Sequence, residues 1–321
     1  MSKKSPNQTR TSRKKSSWSP GKIGLGVAGV VVVALLALPA LRAGAPGTAV
    51  SEFMHLHGLA VAPWAPDEVF VSSHQGLMRI SSEGEWAFVS DAPHDFMGFQ
   101  ANPTEEGVLY SSGHPAPNTN LPNPVGFMVS TDEGQNWQIR SLAGQVDFHT
   151  MAVQPTNGDV IYGLGRGLMR STDAGATWET VESPQLGRIG NAYALAISPD
   201  SADTLLLGTA TGLWRSEDGG NTWTELLRNA PITSVAFGPD PGRIFAYIAS
   251  PGRGMTRSTD EGATWEDLGL LMEGQDAIAY IAPNPTKEGT LTVGSFERNI
   301  YRTTDAGQTW AMLAEAGVPQ E

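Results

Sequence analysis

Two of the six histidines in this chain stand two residues apart, in the stretch FMHLHGLAV at 53–61. Alternate residues of a β-strand point to the same face of a sheet, so His55 and His57 can reach one ion or one substrate. Neutral imidazole is a common ligand of zinc and copper, and it also acts as a general base near neutral pH. The pair therefore indicates a ligand or metal site, provided that the fold brings further polar side chains to it.

The elements that position this pair belong to a repeat. An octamer that ends in tryptophan recurs as STDEGQNW (130–137), STDAGATW (171–178), SEDGGNTW (216–223), STDEGATW (258–265) and TTDAGQTW (303–310), and a shorter SSEGEW ends at Trp86. Successive tryptophans are 41–51 residues apart. Repeats of that length with four short strands each are typical of a β-propeller. We predict an all-β, six-bladed propeller with the units 55–91, 92–146, 147–187, 188–229, 230–273 and 274–315.

The octamers resemble the Asp-box, or BNR repeat, of sialidases, sortilin-type receptors and the chloroplast photosystem II assembly factor. The resemblance covers residues 55–315, and the chain looks similar to small membrane-anchored bacterial Asp-box proteins labelled glycosyl hydrolase or sialidase-like. In such a turn the Asp carboxylate accepts backbone N–H groups, Gly supplies a positive φ, and Trp covers the hairpin. The aspartates predicted to have this structural role are Asp132, Asp173, Asp218, Asp260 and Asp305.

The remaining histidines cluster at one end of the predicted strands, called here the top face. Each first strand ends at a proline, and six positions before it stand His57, Met97, His149, Tyr193, Thr233 and Ala279. Eight positions before it stand His55, Asp95, Asp147, Asn191, Pro231 and Ala277. His94 precedes Asp95, and His74 and His114 end second strands that also point to the top. All six histidines therefore map to the top face of blades one to three, which the repeat itself does not require.

This cluster predicts a transition-metal or ligand site over the first three blades. The preferred metal ligands are His55, His57 and His149, followed by His94 and Asp95. Asp147 is a further ligand or a partner of the ligands, and the predicted ligand-binding rim comprises His74, His114, Asp147 and Arg166. Zinc and copper suit imidazole, and the nearby thioethers of Met54 and Met97 would favour copper. The metal-free alternative is a histidine acting as general base beside Asp95 or Asp147.

Two other functions stay open. A glycoside hydrolase acting on extracellular glycans would use Asp95 or Asp147 as a catalytic carboxylate. A sialidase-like mechanism would use Tyr193 as nucleophile, although the Arg-Ile-Pro motif that opens sialidase domains is missing. The resemblance to the assembly factor and to sortilin-type receptors implies instead a protein-binding scaffold without chemistry. The partner would then be a protein, and otherwise a small molecule or a glycan.

Charge and hydropathy indicate where the propeller is located. Residues 1–42 hold eight of the 21 Lys and Arg and no acid, so the rest carries 13 basic and 33 acidic residues. That acidic excess disfavours nucleic acid as a partner, and the absence of cysteine excludes thiol chemistry.

Residues 1–22 are expected to form a disordered cytoplasmic tail and 23–41 a membrane-spanning anchor, with the propeller outside the cytoplasm. A signal peptide cleaved near residues 43–45 is the alternative. Residues 42–54 are read as a linker and 316–321 as a tail.

Overall fold

The computed structural model describes residues 45–90, 92–117, 119–240 and 242–320. The predicted cytoplasmic tail and membrane anchor lie outside these residues. Within the described ranges, no helix combines the length and the apolar character needed to cross a membrane.

Six antiparallel sheets surround a central axis, and in each of them four strands follow one another from the axis to the rim. Blades one to three contain β1 (Leu56–Ala62), β2 (Ala65–Ser73), β3 (Gly76–Ile80), β4 (Trp86–Phe88), β5 (Asp95–Ala101), β6 (Leu109–His114), β7 (Phe127–Ser130), β8 (Gln138–Ser141), β9 (Thr150–Gln154), β10 (Asn157–Leu164), β11 (Leu168–Ser171) and β12 (Glu179–Thr180). A short helix, α1 (Leu186–Ile189), connects blades three and four.

Blades four to six repeat this arrangement. They contain β13 (Ala192–Ile197), β14 (Leu205–Thr209), β15 (Gly212–Ser216), β16 (Thr224–Arg228), β17 (Ile232–Phe237), β18 (Ile244–Ile248), β19 (Gly254–Ser258), β20 (Glu266–Asp267), β21 (Ile278–Pro283), β22 (Leu291–Ser295), β23 (Ile300–Thr303), β24 (Ala311–Glu315) and β25 (Val318–Pro319). The innermost strands β1, β5, β9, β13, β17 and β21 contact one another in a closed ring. The predicted all-β, six-bladed propeller with four-stranded blades is confirmed, and the last blade has β25 as a fifth strand.

The hydrophobic core is divided among the blade interfaces, because each sheet buries both faces against its neighbours. Phe70 of blade one packs with Phe99 of blade two, and Val69 of blade one belongs to the same cluster as Ile300 of blade six. These side chains are almost completely buried. At about 1.5–3 kcal/mol for each large apolar side chain, packing between blades is the main source of stability.

The hairpins between the third and fourth strands are built from local hydrogen bonds. Asp132 accepts a hydrogen bond from the backbone N–H of Asn136 at 2.8 Å, and the indole of Trp137 donates to the carbonyl of Gly134 at 3.0 Å. Gly134 has a φ of +90°, and a Cβ there would lie 2.3 Å from Leu77 of the preceding blade. In the next blade, hydrogen bonds from Thr177 lower the pKa of Asp173 to about 2. The turn is thus rigid, and it packs against the neighbouring sheet.

Ring closure depends on residues 47–55, called here the closing segment. Its first part extends the outer edge of blade one, where Ala49 bridges Ala87. Farther along, the N–H of Phe53 donates to the carbonyl of Gly317, which follows β24, at 2.9 Å. The fully buried ring of Phe53 stacks on Trp86 with centroids 5.5 Å apart. The segment therefore joins the first blade to the last before the chain enters β1.

Candidate functional site

Three histidines of blade one meet on the top face. His55 lies directly before β1, His57 within β1, and His74 in the turn from β2 to β3. One potential ligand atom from each of them lies within 4.8 Å of the others. Ring centroids of His57 and His74 are 4.2 Å apart, and those of His55 and His74 are 4.8 Å apart. We call this group the blade-one triad.

A β-bulge places His57 in the triad. Pairing of β1 with β2 passes from Leu56 opposite Ser73 directly to Gly58 opposite Ser72, so His57 is left without a partner residue. A bulged residue turns its side chain away from the regular alternation of the strand. As a result His57 lines the top of the central cavity, whose volume is about 370 Å³, with its side chain 11% exposed.

Asp95, the first residue of β5 in blade two, binds two members of the triad. Its Oδ2 lies 2.8 Å from Nδ1 of His74, and its Oδ1 lies 3.0 Å from Nδ1 of His57, which also contacts the sulfur of Met97. Burial raises the pKa of Asp95, but hydrogen bonds and charges from His57 and His74 outweigh it and hold the pKa well below its ordinary value. An ionised carboxylate only accepts, so a ring that donates Nδ1–H to Asp95 keeps its Nε2 lone pair for a ligand.

His55 completes the triad from an unusual backbone conformation. Its φ is +46°, in the left-handed region that residues other than glycine seldom occupy. Among the described residues its imidazole has no hydrogen-bond partner. Burial and the nearby His74 and His57 lower the pKa of His55, which favours the neutral ring that a metal requires. The preceding residue is fixed, because the N–H of Met54 donates to Oε1 of Gln75 at 2.6 Å.

A second aspartate with two histidines lies beside the triad. Oδ2 of Asp147 lies 2.7 Å from Nε2 of His149 and 3.2 Å from Nε2 of His114. The hydrogen bond that His149 donates to Asp147 raises the pKa of His149, whose side chain is 65% exposed. His114 also lies opposite Asp95 in the pairing of β5 with β6. We call this group the blade-three cluster. It joins two imidazoles through their Nε2 atoms, whereas Asp95 contacts two members of the triad through Nδ1.

His94 lies apart from both groups. It is 8% exposed, and its Nδ1 accepts the N–H of Ala116 at 2.9 Å. Ala116 begins the long loop between β6 and β7, whose Asn123 contacts Nδ1 of His114 at 2.7 Å. His94 thus positions the loop that flanks the site, and burial lowers the pKa of its imidazole.

The other predicted residues occupy separate places. Tyr193 lines the central cavity together with His57 and His149, and Arg166 is exposed in the turn between β10 and β11. Sequence reasoning placed His149 among the metal ligands and His74 in the rim, whereas the structure brings His74 to His55 and His57. Sequence reasoning also missed Gln75, which accepts the N–H of Met54. It missed Tyr280 as well, which lines the central cavity and whose pKa is raised by burial. The one sequence signal for His74 is its position at the end of β2, which pairs with β1.

No family-level sequence description matches the chain. A xyloglucanase of Hypocrea jecorina is 24% identical over 309 residues, which cover 77% of this chain and 37% of that protein. Xyloglucanase Xgh74A of Acetivibrio thermocellus is 32% identical over 222 residues, which cover 65% of this chain and 18% of that protein. The chain therefore spans well under half the length of the curated relatives it matches.

Solved structures of similar fold include the same kind of enzyme. The GH74 xyloglucanase of Xanthomonas campestris has a TM-score of 0.58 at 18% identity, over 85% of this chain and 46% of that one. The GH74 enzyme of Niastella koreensis has a TM-score of 0.57 at 16% identity, over the same shares of the two chains. At these identities the likeness establishes the propeller fold alone. By sequence, the chain is similar to glycoside hydrolases of the xyloglucanase type at low identity.

Proposed function

We propose that the chain binds one divalent transition metal, zinc or copper, through the blade-one triad on its top face. The observation that carries the proposal is that one potential ligand atom from each of three imidazoles lies within 4.8 Å of the other two. Three imidazoles leave a fourth coordination position for water or a substrate, which is the arrangement of catalytic rather than structural zinc sites. The top face is therefore proposed as a site of metal-linked binding or metal-assisted catalysis.

The surroundings of the triad support a metal rather than a simple hydrogen-bonded surface. Asp95 fixes two of the rings through Nδ1, which is how carboxylates orient metal-bound histidines in proteins and raise their basicity. His55 adopts a strained backbone conformation although its ring gains no hydrogen bond among the described residues. Because strain of about 1–3 kcal/mol needs compensation, a bond from His55 to a metal gives the conformation a physical reason.

The first experiment is metal analysis of the full-length chain, purified without a histidine tag or chelator. We expect about one equivalent of transition metal per chain, or stoichiometric uptake of zinc or copper by calorimetry. The double variant His55→Ala, His57→Ala should lose this uptake. His149→Ala, which removes an exposed imidazole of the other cluster, is the matched control and should keep it. Absence of uptake for zinc, copper, iron and nickel would refute the proposal.

Glycoside hydrolysis is the second candidate, and the likeness to xyloglucanases favours it. The reaction needs one carboxylic acid that stays protonated near neutral pH. The lowered pKa of Asp95 makes it unsuitable as that acid, which leaves Asp147, whose Oδ2 accepts a hydrogen bond from His149 and lies 3.2 Å from Nε2 of His114. Release of reducing ends from xyloglucan, lost in Asp147→Asn, would establish this activity. If neither the metal-loaded nor the metal-free chain degrades xyloglucan, this substrate class is excluded.

The cellular setting is likewise a proposal. The uncharged run at 23–41 and the basic residues before it support a single membrane anchor, with the propeller outside the cytoplasm. The repeated octamers support membership of the Asp-box propellers. Cleavage of the propeller by protease added to cells whose outer envelope has been opened would verify this orientation, and complete protection until the cytoplasmic membrane is lysed would contradict it.

A further inference from the structure

We infer that metal bound to the blade-one triad crosslinks the closing segment to the body of the propeller, so that metal occupancy controls how firmly the ring is closed. The inference rests on the proposed metal site and adds a regulatory consequence to it. The essential observation is that the three histidines differ in origin. His57 and His74 belong to the sheet of blade one, whereas His55 belongs to the segment that connects the first blade to the last.

Backbone hydrogen bonds attach the closing segment to both blades. On the rim, the N–H of Gly47 donates to the carbonyl of Phe88 at 2.9 Å. Near the top, the N–H of Phe53 donates to the carbonyl of Gly317 at 2.9 Å, and the carbonyl of Phe53 accepts from Arg298 at 3.2 Å. Gly317 in turn donates its N–H to the carbonyl of Arg298 at 3.0 Å. These bonds join three short pieces of backbone around the fully buried ring of Phe53, so their opening is a sub-global event that exposes this ring without unfolding every blade.

The end of the closing segment is held less completely. After the hydrogen bond from Met54 to Gln75, the backbone turns at His55 with a φ of +46°. The imidazole of His55 points towards the other two rings, with its centroid 4.8 Å from that of His74 and 6.3 Å from that of His57. A metal–nitrogen bond would fix this ring to two others whose orientation Asp95 already sets. The metal would thus join the closing segment to blades one and two.

Linkage gives the expected magnitude. If opening of the segment withdraws His55 from the metal, the metal stabilises the closed form and not the open one. At a metal concentration 100 times the dissociation constant, opening becomes up to about 100-fold rarer. Residual binding of the open form through His57 and His74 reduces this factor. Amides that exchange through this opening should slow accordingly, while amides in distant blades should not change.

Hydrogen–deuterium exchange of the full-length chain, with and without zinc, tests the inference. Peptides that contain Phe53 and Gly317 report the closure, and a peptide of β14 in blade four is the internal control. Zinc should slow exchange in the first two peptides by at least about 10-fold and leave the third unchanged. In His55→Ala this zinc effect should disappear. His55→Gly is the second variant, because glycine relieves the positive φ and so separates loss of the ligand from loss of strain.

The outcomes separate this inference from the proposed function. If calorimetry shows no zinc or copper binding to the wild-type chain, both fail. If metal binds but exchange at Phe53 and Gly317 is unchanged, the crosslink is refuted and the metal site stands. An equal slowing in wild type and in both His55 variants also refutes the crosslink, because the effect would then not pass through His55. Slowing confined to the wild type establishes it.

Discussion

The blade-one triad and the blade-three cluster use the same components in different ways. In each, one aspartate lies between two histidines, at His57 and His74 in the first and at His114 and His149 in the second. Asp95 binds its partners through Nδ1, and a third histidine joins them. Asp147 binds its partners through Nε2, and no third ligand converges on it among the described residues. The two groups therefore differ in the ring nitrogen that faces the carboxylate and in whether a third histidine converges on the pair.

Removal of one imidazole from each group should have the largest effect. His74→Ala removes one of three proposed ligands, whereas His114→Ala removes a neighbour of Asp147. We expect His74→Ala to weaken zinc binding by more than about 100-fold, beyond the loss typical of an outer-shell partner, and His114→Ala to change it by less than about threefold. Calorimetric titration of both variants measures the difference. Equal losses in the two variants would mean that the groups form one site.

Exchange of each carboxylate for an amide should have a smaller but still selective effect. Asp95→Asn keeps the size of the side chain and removes the negative charge that fixes His57 and His74. A lost outer-shell partner typically costs about 10–100-fold in metal affinity, and we expect that range here. Asp147→Asn should leave metal affinity unchanged. The result that contradicts the assignment is an Asp147 variant that binds metal as poorly as the Asp95 variant.

Sequence alone accounts for the scaffold much better than for the site. The tryptophan period and the prolines that end the first strands specify six similar sheets, and sheets of that kind pack in only one general way. The grouping of His57 with His74 depends on the bulge between Leu56 and Gly58. This bulge is a property of strand pairing and cannot be recognised from the residue types in the sequence. Phe53, two residues before His55, is bonded to Gly317 after β24, which lies far away in sequence. Alignment of repeats could therefore find the top face, but it could not choose the ligands.

His94 supplies a prediction that separates scaffold from site within the same blade. His94→Ala leaves the buried N–H of Ala116 without its acceptor and creates a small void. We expect a loss of about 1–3 kcal/mol in the free energy of unfolding, with metal affinity unchanged. Urea unfolding with parallel zinc titration measures both quantities. A large loss of metal affinity without loss of stability would show that His94 serves the site directly and not the adjoining loop.

The smallest expected effect concerns pH and distinguishes His55 from His149. Hydrogen bonding to Asp147 raises the pKa of His149, whereas burial and neighbouring histidines lower that of His55. Because the folded pKa of His149 exceeds its unfolded value of about 6.5, its bond to Asp147 stabilises the fold fully below that pH. The contribution is lost as pH rises through the folded pKa. His149→Gln should therefore lower the melting temperature of the metal-free chain at pH 5.5 more than at pH 8.5, by a small amount since the ring is mostly exposed.

NMR titration of the imidazoles should show one histidine that protonates above the ordinary range and loses that property in Asp147→Asn. If the melting temperatures of His149→Gln and wild type differ equally at both pH values, the raised pKa of His149 is refuted, and with it the role of Asp147 as the carboxylate that favours protonated histidine.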